Sequence, residues 1–306
     1  MELRQLRYFV TVVEEANFTR AAERLHLSQP GVSAQIRQLE RELGQPLLDR
    51  SGRTVRPTEV GAAVLPYARA ALAAVEGVRQ TAAEFVGLLR GRVAIGLVPG
   101  ALGHRMDVPA LLADFHDAHP QVEITLTEDT SDRMLTALRH GELDIAVAGL
   151  PDPEPVPGLA HRIVIDEPLV AAVAPGHPLL DEHRGRTSVP PTALRGHRLI
   201  SLPRGTGVRG VLDRLCAEAG FRPRVTCEAA APDALMRLAE RGLGVAVVPY
   251  PQSASGTTAS RALRMLRIDD ARARGRVAVV WRTDGPTGPA ARAFLAALRE
   301  RLPGGE

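Results

Sequence analysis

With 306 residues, 45% of them hydrophobic and 24% charged, the chain is long enough for two or three globular domains and has the balance of a soluble protein. No apolar run reaches the ~18–20 residues of a membrane span, the first helix is charged rather than an export signal, and Cys216 and Cys227 cannot form a disulfide framework, so a cytoplasmic protein is expected. The net charge is only +3 and all 38 basic residues are arginine, so overall charge says little about nucleic acid and the positions of the arginines say more.

Leu3, Leu6, Phe9, Val10 and Val13 recur at helical spacing and predict a first helix ending near Glu15. Asn17-Phe18-Thr19 interrupts it, and Thr19 is placed to cap a second helix from Arg20 to Leu25. Small Ala21 and Ala22 suit a close helix crossing there. After the turn His26-Leu27-Ser28, Ser28 is a good N-cap and Pro30 sits in the first turn of a third helix that ends at Gly44. Val32, Ile36, Leu39 and Leu43 mark its buried face; Gln29, Ser33, Arg37 and Arg41 fall away from it. Two short helices around a tight turn, the second polar and basic, predict a helix-turn-helix that enters a major groove. A plain helical bundle with those residues solvated also satisfies the periodicity.

Pro46 to Pro57 reads as two extended pieces around Ser51-Gly52, a wing whose basic tip, with Arg53, suits phosphate or the minor groove. Thr58 then caps a long helix containing Pro66, which predicts a kink or a weak first turn. Along it Val64, Ala68, Ala71, Val75, Val78, Ala82, Phe85 and Leu89 follow a heptad seam expected to pair two chains. Packing of that seam on its own domain is the alternative.

Residues 2 to 65 resemble the DNA-binding domain of LysR-type transcriptional regulators, above all in Phe18 to Pro30, Val32-Ser33, Ile36-Arg37-Gln38-Leu39-Glu40 and Thr58-Glu59-Val60-Gly61. The resemblance implies an N-terminal all-α winged helix-turn-helix with a long linker helix, plus an α/β effector domain of two subdomains similar to periplasmic solute-binding proteins. The expected extents are residues 1–57 for the DNA-binding domain, 58–90 for the dimerising linker and 91–306 for the effector domain. Subdomain I would cover about 91–162 and 269–306, and subdomain II about 163–268. The implied partners are double-stranded promoter or operator DNA, a small-molecule effector, a dimer or tetramer of the chain itself and RNA polymerase; no cofactor is implied. Thr19, Ser28, Gln29, Pro30, Ser33, Arg37 and Arg53 are the expected DNA-binding residues.

The remaining chain alternates strand and helix. Arg92 to Val98, Val122 to Glu128 and Leu143 to Gly149 read as strands, separated by helices Pro109 to His119 and Ser131 to His140. After the Pro/Gly-rich stretch Pro151 to Gly158, a second set has strands at Arg198 to Leu202, Arg224 to Glu228 and Gly244 to Val248, with helices Gly207 to Ala219 and Asp233 to Arg241. Strand Arg276 to Trp281 and helix Pro289 to Leu302 return to the first set. Such α/β sheets take ligands beyond the carboxyl ends of their strands, which nominates Pro99, Gly100, Thr130, Gly149, Ser201, Pro203, Arg204, Thr206 and Pro249. Pro99-Gly100 stands where many family members carry a hydroxyl residue. Thr206 is placed to cap the helix from Gly207, with Arg204 and Arg209 beside it, which suits a ligand with a negative group. Alternatively Thr206 only caps its helix and both arginines are solvated.

Other chemistry is not expected. The nine histidines show no metal-binding spacing, Gly205-Thr206-Gly207 is too short for a nucleotide fingerprint, and no serine elbow is present. Peroxide-sensing members of the family have a cysteine at the position matching Cys216, but its partner position here is Gly207; Cys216 and Cys227 read as buried apolar residues. An enzyme is thus not expected. A cytoplasmic solute-binding protein without DNA targets is the alternative function, and it leaves the first 90 residues without a role.

Overall fold

The computed structural model describes residues 1–52, 54–84, 89–99, 107–154, 156–250 and 263–301, and for residues 79–84 the backbone alone. The N-terminal part packs α1 (Leu3–Glu15), α2 (Phe18–Arg24) and α3 (Gln29–Leu43) against a two-stranded wing, β1 (Leu48–Asp49) and β2 (Arg56–Pro57). Leu6, Phe9, Ala21, Ala22, Val32, Ile36, Leu39 and Leu47 are buried together, so the apolar positions of all three helices meet in one core. One expectation is corrected. Helix α2 begins at Phe18 and its cap is Asn17, whose side chain accepts from the Thr19 and Arg20 N–H groups at 2.8 and 3.1 Å. The short carboxamide reaches both orphan donors of the first turn, which leaves Thr19 inside the helix.

Helix α4 (Glu59–Glu84) follows, capped by the Thr58 hydroxyl, which accepts from the Gly61 N–H at 3.0 Å. Pro66 lies inside it without ending it. Gly61 is packed on the wing: a Cβ there would lie 1.9 Å from the Leu47 carbonyl oxygen.

The C-terminal part is two α/β lobes sharing one long sheet. In the first, β3 (Gly91–Leu97), β4 (Val122–Glu128) and β5 (Ile145–Leu150) are parallel, flanked by α5 (Val108–Ala118) and α6 (Ser131–Arg139). Strand β6 (Leu159–Val173) then runs through both lobes. The second lobe adds α7 (Pro178–Glu182), β7 (Ser188–Val189), β8 (Leu199–Ser201), α8 (Gly207–Glu218), β9 (Val225–Glu228), α9 (Pro232–Glu240), β10 (Val245–Pro249) and β11 (Arg264–Ile268). Strand β12 (Arg274–Arg282) returns antiparallel to β5 and β6, and α10 (Pro289–Arg301) closes the first lobe.

Strands β6 and β11 escape the sequence reading. Asp166-Glu167-Pro168 interrupts the apolar pattern of β6 where it passes from one lobe to the other. Leu159 to Pro168 pairs with β12, whereas Leu169 to Val173 is fully buried in the second lobe's core. The crossings therefore fall at Pro168/Leu169 and Ala273/Arg274, later than the expected boundaries at residues 162 and 269, because Ile163 and Val164 pack on the first lobe.

Candidate functional site

Helix α3 presents Ser28, Gln29, Pro30, Arg37 and Arg41 to solvent, with Thr19 exposed on the adjoining α2. Ser28 caps α3 by accepting from the Gly31 N–H at 3.3 Å. Ser33 departs from expectation. It is buried, because it lies three residues before Ile36 and beside Val32, on the arc that meets the other helices. Arg53 lies outside the described residues. Glu40 is a positioning residue that spacing alone does not reveal. One carboxylate oxygen accepts from the Leu47 and Leu48 N–H groups at 3.0 and 3.2 Å, and the other holds Arg50 at 2.7 Å. Arg50 also lies over the Phe18 ring at 5.4 Å, so this wing arginine anchors the wing to α2 and α3.

The seam of α4 is corrected in the same way. Val64 and Ala71 pack against the N-terminal core, Ala68 is buried in it and Val75 is half-buried. The apolar face left open is one position earlier: Val60, Ala63, Tyr67, Ala70 and Ala74, with Val78. Tyr67 and Val78 are 78% and 71% exposed, too much for residues serving only an internal core. Phe85 and the side chain of Ala82 lie outside the described residues.

Between the two lobes lies a cavity of about 220 Å³, where the parallel strands end. Pro99, Gly149, Thr206 and Pro249 line it, while Gly100 lies outside the described residues. Thr130, Ser201, Pro203 and Arg204 are not on its wall. Ser201 is fully buried at the end of β8, and Arg204 is exposed. The turn that carries Pro203 and Arg204 faces Thr130 of the opposite lobe instead, with Gly205 packed beside the Thr130 hydroxyl. The Thr206 hydroxyl donates to the Pro203 carbonyl at 2.8 Å and makes no helix cap. Arg209 is neither solvated nor in the cavity. It is buried, with Asp213 at 3.0 Å and Glu228 at 2.5 Å. Burial alone would lower its pKa, but hydrogen bonds to Glu228 and Asp213 outweigh that and raise it.

The cavity wall also includes residues the sequence reading passed over. Ile165, Val208, Met236 and Val277 make it largely apolar, and Ser131, Glu167, Asp233 and Arg276 add polar groups. Glu167, Ile165, Arg276 and Val277 come from β6 and β12 at the lobe crossing, which the missed β6 concealed. Arg276 is nine-tenths buried, with Nε 3.4 Å from Asp166. Ser131 accepts from the Gly149 N–H at 3.0 Å. Helices α6, α8 and α9 all begin at this wall without a side-chain N-cap, and α6 and α9 carry Asp132 and Asp233 in their first turns. Arg214 of α8 pairs with Asp152 of the other lobe.

Cys216 is fully buried in the second lobe, and burial together with the Asp213 carboxylate pushes its thiol up to about 12. Cys227, on β9, is half-buried. Among the described residues no helix is long and apolar enough to cross a membrane.

Comparison with known proteins matches two family models. The bacterial regulatory helix-turn-helix protein, lysR family, covers residues 3–62, and the LysR substrate binding domain covers residues 87–303. The chain is 34% identical to a probable hydrogen peroxide-inducible genes activator of Mycobacterium avium, over 91% of this chain and 87% of that protein. It is 30% identical to the transcriptional dual regulator GltC of Bacillus subtilis, over 84% and 83% respectively. Among solved structures, a full-length OxyR variant from Pseudomonas aeruginosa superposes with a TM-score of 0.68 at 27% identity, covering 98% of this chain and 95% of that one.

Proposed function

The chain belongs to the LysR family of transcriptional regulators, and we propose that it reads operator DNA with the exposed face of α3 and takes a small-molecule effector in the cavity between its lobes. The observation that carries the effector reading is the cavity itself: concave, mostly apolar, placed at the strand ends, with a few converging polar groups. The apolar wall, with Arg276, Glu167 and Asp233 as its charged groups, favours a compact ligand with an apolar body and a polar group.

A peroxide sensor is the second reading, favoured by two mycobacterial relatives named as probable hydrogen peroxide-inducible genes activators. The chemistry here argues against it. A thiol held near 12 is not a thiolate at neutral pH, and the thiolate is the form that peroxide oxidises. We therefore take the effector to be bound reversibly.

The open α4 face supports self-association, which would let two reading heads span half-sites one or more helical turns apart, ~34 Å per turn. RNA polymerase as a further partner rests on the family alone.

The test is a thermal-shift screen of small carboxylic acids, with matched amides and amines, against the full chain. A cavity-filling Ile165→Trp variant and a gel shift on DNA upstream of the chain's own gene accompany it. Stabilisation of the wild type but not of Ile165→Trp is expected. Equal shifts in both proteins would place the ligand elsewhere.

A further inference from the structure

Helix α6 touches different parts of the molecule at its two ends. At its start Ser131 lines the cavity, and the next residue, Asp132, donates its N–H to the Gly205 carbonyl of the other lobe at 3.0 Å. Met134, Leu135 and Leu138 fix the helix in the first lobe's core. At its far end the Glu142 N–H bonds back to the Ala137 carbonyl at 2.9 Å, so Glu142 is tied to the helix end. The Glu142 carboxylate pairs with Arg69 of α4. The same guanidinium lies 3.8 Å from Glu14 of α1, and Glu14 holds Arg24 of α2 at 3.0 Å. A continuous chain of packed and paired groups thus runs from the lobe interface to the helix that precedes the DNA-reading helix.

We propose that Arg69 is the coupling residue through which the relative position of the two lobes is reported to the DNA-binding head. The nine-residue α6 is a rod ~14 Å long, and a shift of the second lobe acts on it at Asp132. The rod carries that shift to Glu142, which draws on Arg69 and, through it, on α1 and α2. Each pair is half-exposed and contributes little to stability by itself. Its role is to make the posture of the head depend on the state of the lobes, which is what coupling between two sites requires. The inference rests on reading the cavity as the effector site, but its test uses no effector and stays readable whatever a ligand screen finds.

The test places a wedge between the lobes. A Cβ on Gly207 would lie 2.6 Å from the Gly149 carbonyl carbon, so Gly207→Ala forces the lobes to shift. Gly149→Ala, with its nearest neighbour at 3.3 Å, is the milder wedge if the first does not fold. Hydrogen exchange across residues 3–24 is followed in the full chain. Either wedge should change exchange there by about fivefold in the otherwise native chain, the lower end of ordinary allosteric coupling. That change should vanish when Arg69→Met or Glu142→Gln is added. The same change in both backgrounds would mean that Arg69 is only structural and the signal travels elsewhere. No change in the otherwise native chain would mean that lobes and head are uncoupled, and would overturn the proposal.

Discussion

Gly207 at the start of α8 rests directly on Gly149 at the end of β5, across the lobe interface: a side chain on Gly207 would meet the Gly149 carbonyl carbon at 2.6 Å and the Leu150 nitrogen at 2.8 Å. Both neighbours are backbone and have nowhere to move without parting the lobes. Position 207 is therefore closed to any side chain in this packing. Gly207→Cys should lower the melting temperature. Peroxide treatment should give no Gly207→Cys to Cys216 disulfide by mass spectrometry; a quantitative disulfide would show that the lobes part readily.

Cys216 should be inert while the chain is folded. At pH 8 an aromatic disulfide reagent should leave Cys216 unlabelled until denaturant is added, as peptide mapping would show. The pH dependence follows from the sign of the shift. The unfolded thiol ionises near its ordinary 9.0, whereas the folded thiol holds its proton up to about 12. Stability from this group is therefore complete below pH 9 and falls as pH rises toward 12. The urea midpoint should drop less between pH 8 and about 10 in Cys216→Ala than in the native chain. Equal slopes would mean that Cys216 does not ionise on unfolding.

Reading of DNA should depend on Gln29 and Arg37. Gln29→Ala, which takes away the carboxamide proposed to read a base, should cost ~1–3 kcal/mol and relax preference at one position. Arg37→Ala, which takes away an exposed charge proposed to meet phosphate, should weaken all sequences and lower the salt slope by about one. Ser33→Ala, at a buried position, should leave sequence preference unchanged. Gel-shift titrations at several salt concentrations check all three. A specificity change in Ser33→Ala alone would reverse the assignment of faces on α3.

Assembly should respond to the open face of α4 rather than to its inner one. Tyr67→Asp places a charge at a position 78% exposed in the single chain, so the fold should survive while sedimentation shows a smaller assembly. Val64→Asp, packed on the N-terminal core, should lower thermal stability as well. An unchanged mass for Tyr67→Asp would exclude this face as the main interface.

The junction of wing and linker should be intolerant of added volume. Gly61→Ala drives a methyl into the Leu47 carbonyl, which is backbone fixed by the Glu40 hydrogen bond to the Leu47 N–H, and should cost at least ~1–3 kcal/mol. Urea unfolding monitored by circular dichroism would measure it. A neutral effect would mean that the first turn of α4 adjusts freely.

Much of this molecule is legible in the residues themselves. Helical spacing, the Ser28 and Thr58 caps and the alternating βα pattern are local signals, set by backbone hydrogen-bond geometry and by which face of an element is apolar. They predict α1, α3, α4 and most of the effector domain close to where they form. What they leave open depends on how elements are rotated and which distant segments meet. A seam read from periodicity cannot say which of two adjacent apolar stripes its own domain takes, so packing alone decides that Val64 turns inward and Tyr67 outward. Ser33 is polar by composition and buried by the crossing of α3 with its neighbours. The cavity wall is likewise a tertiary product. Ile165, Glu167 and Arg276 reach it because β6 and β12 cross between the lobes, and nothing local at those residues encodes the crossing. Local sequence determined most of the elements and the family; burial of side chains brought together from far apart decided which residues are packed inside, line the cavity or stay exposed.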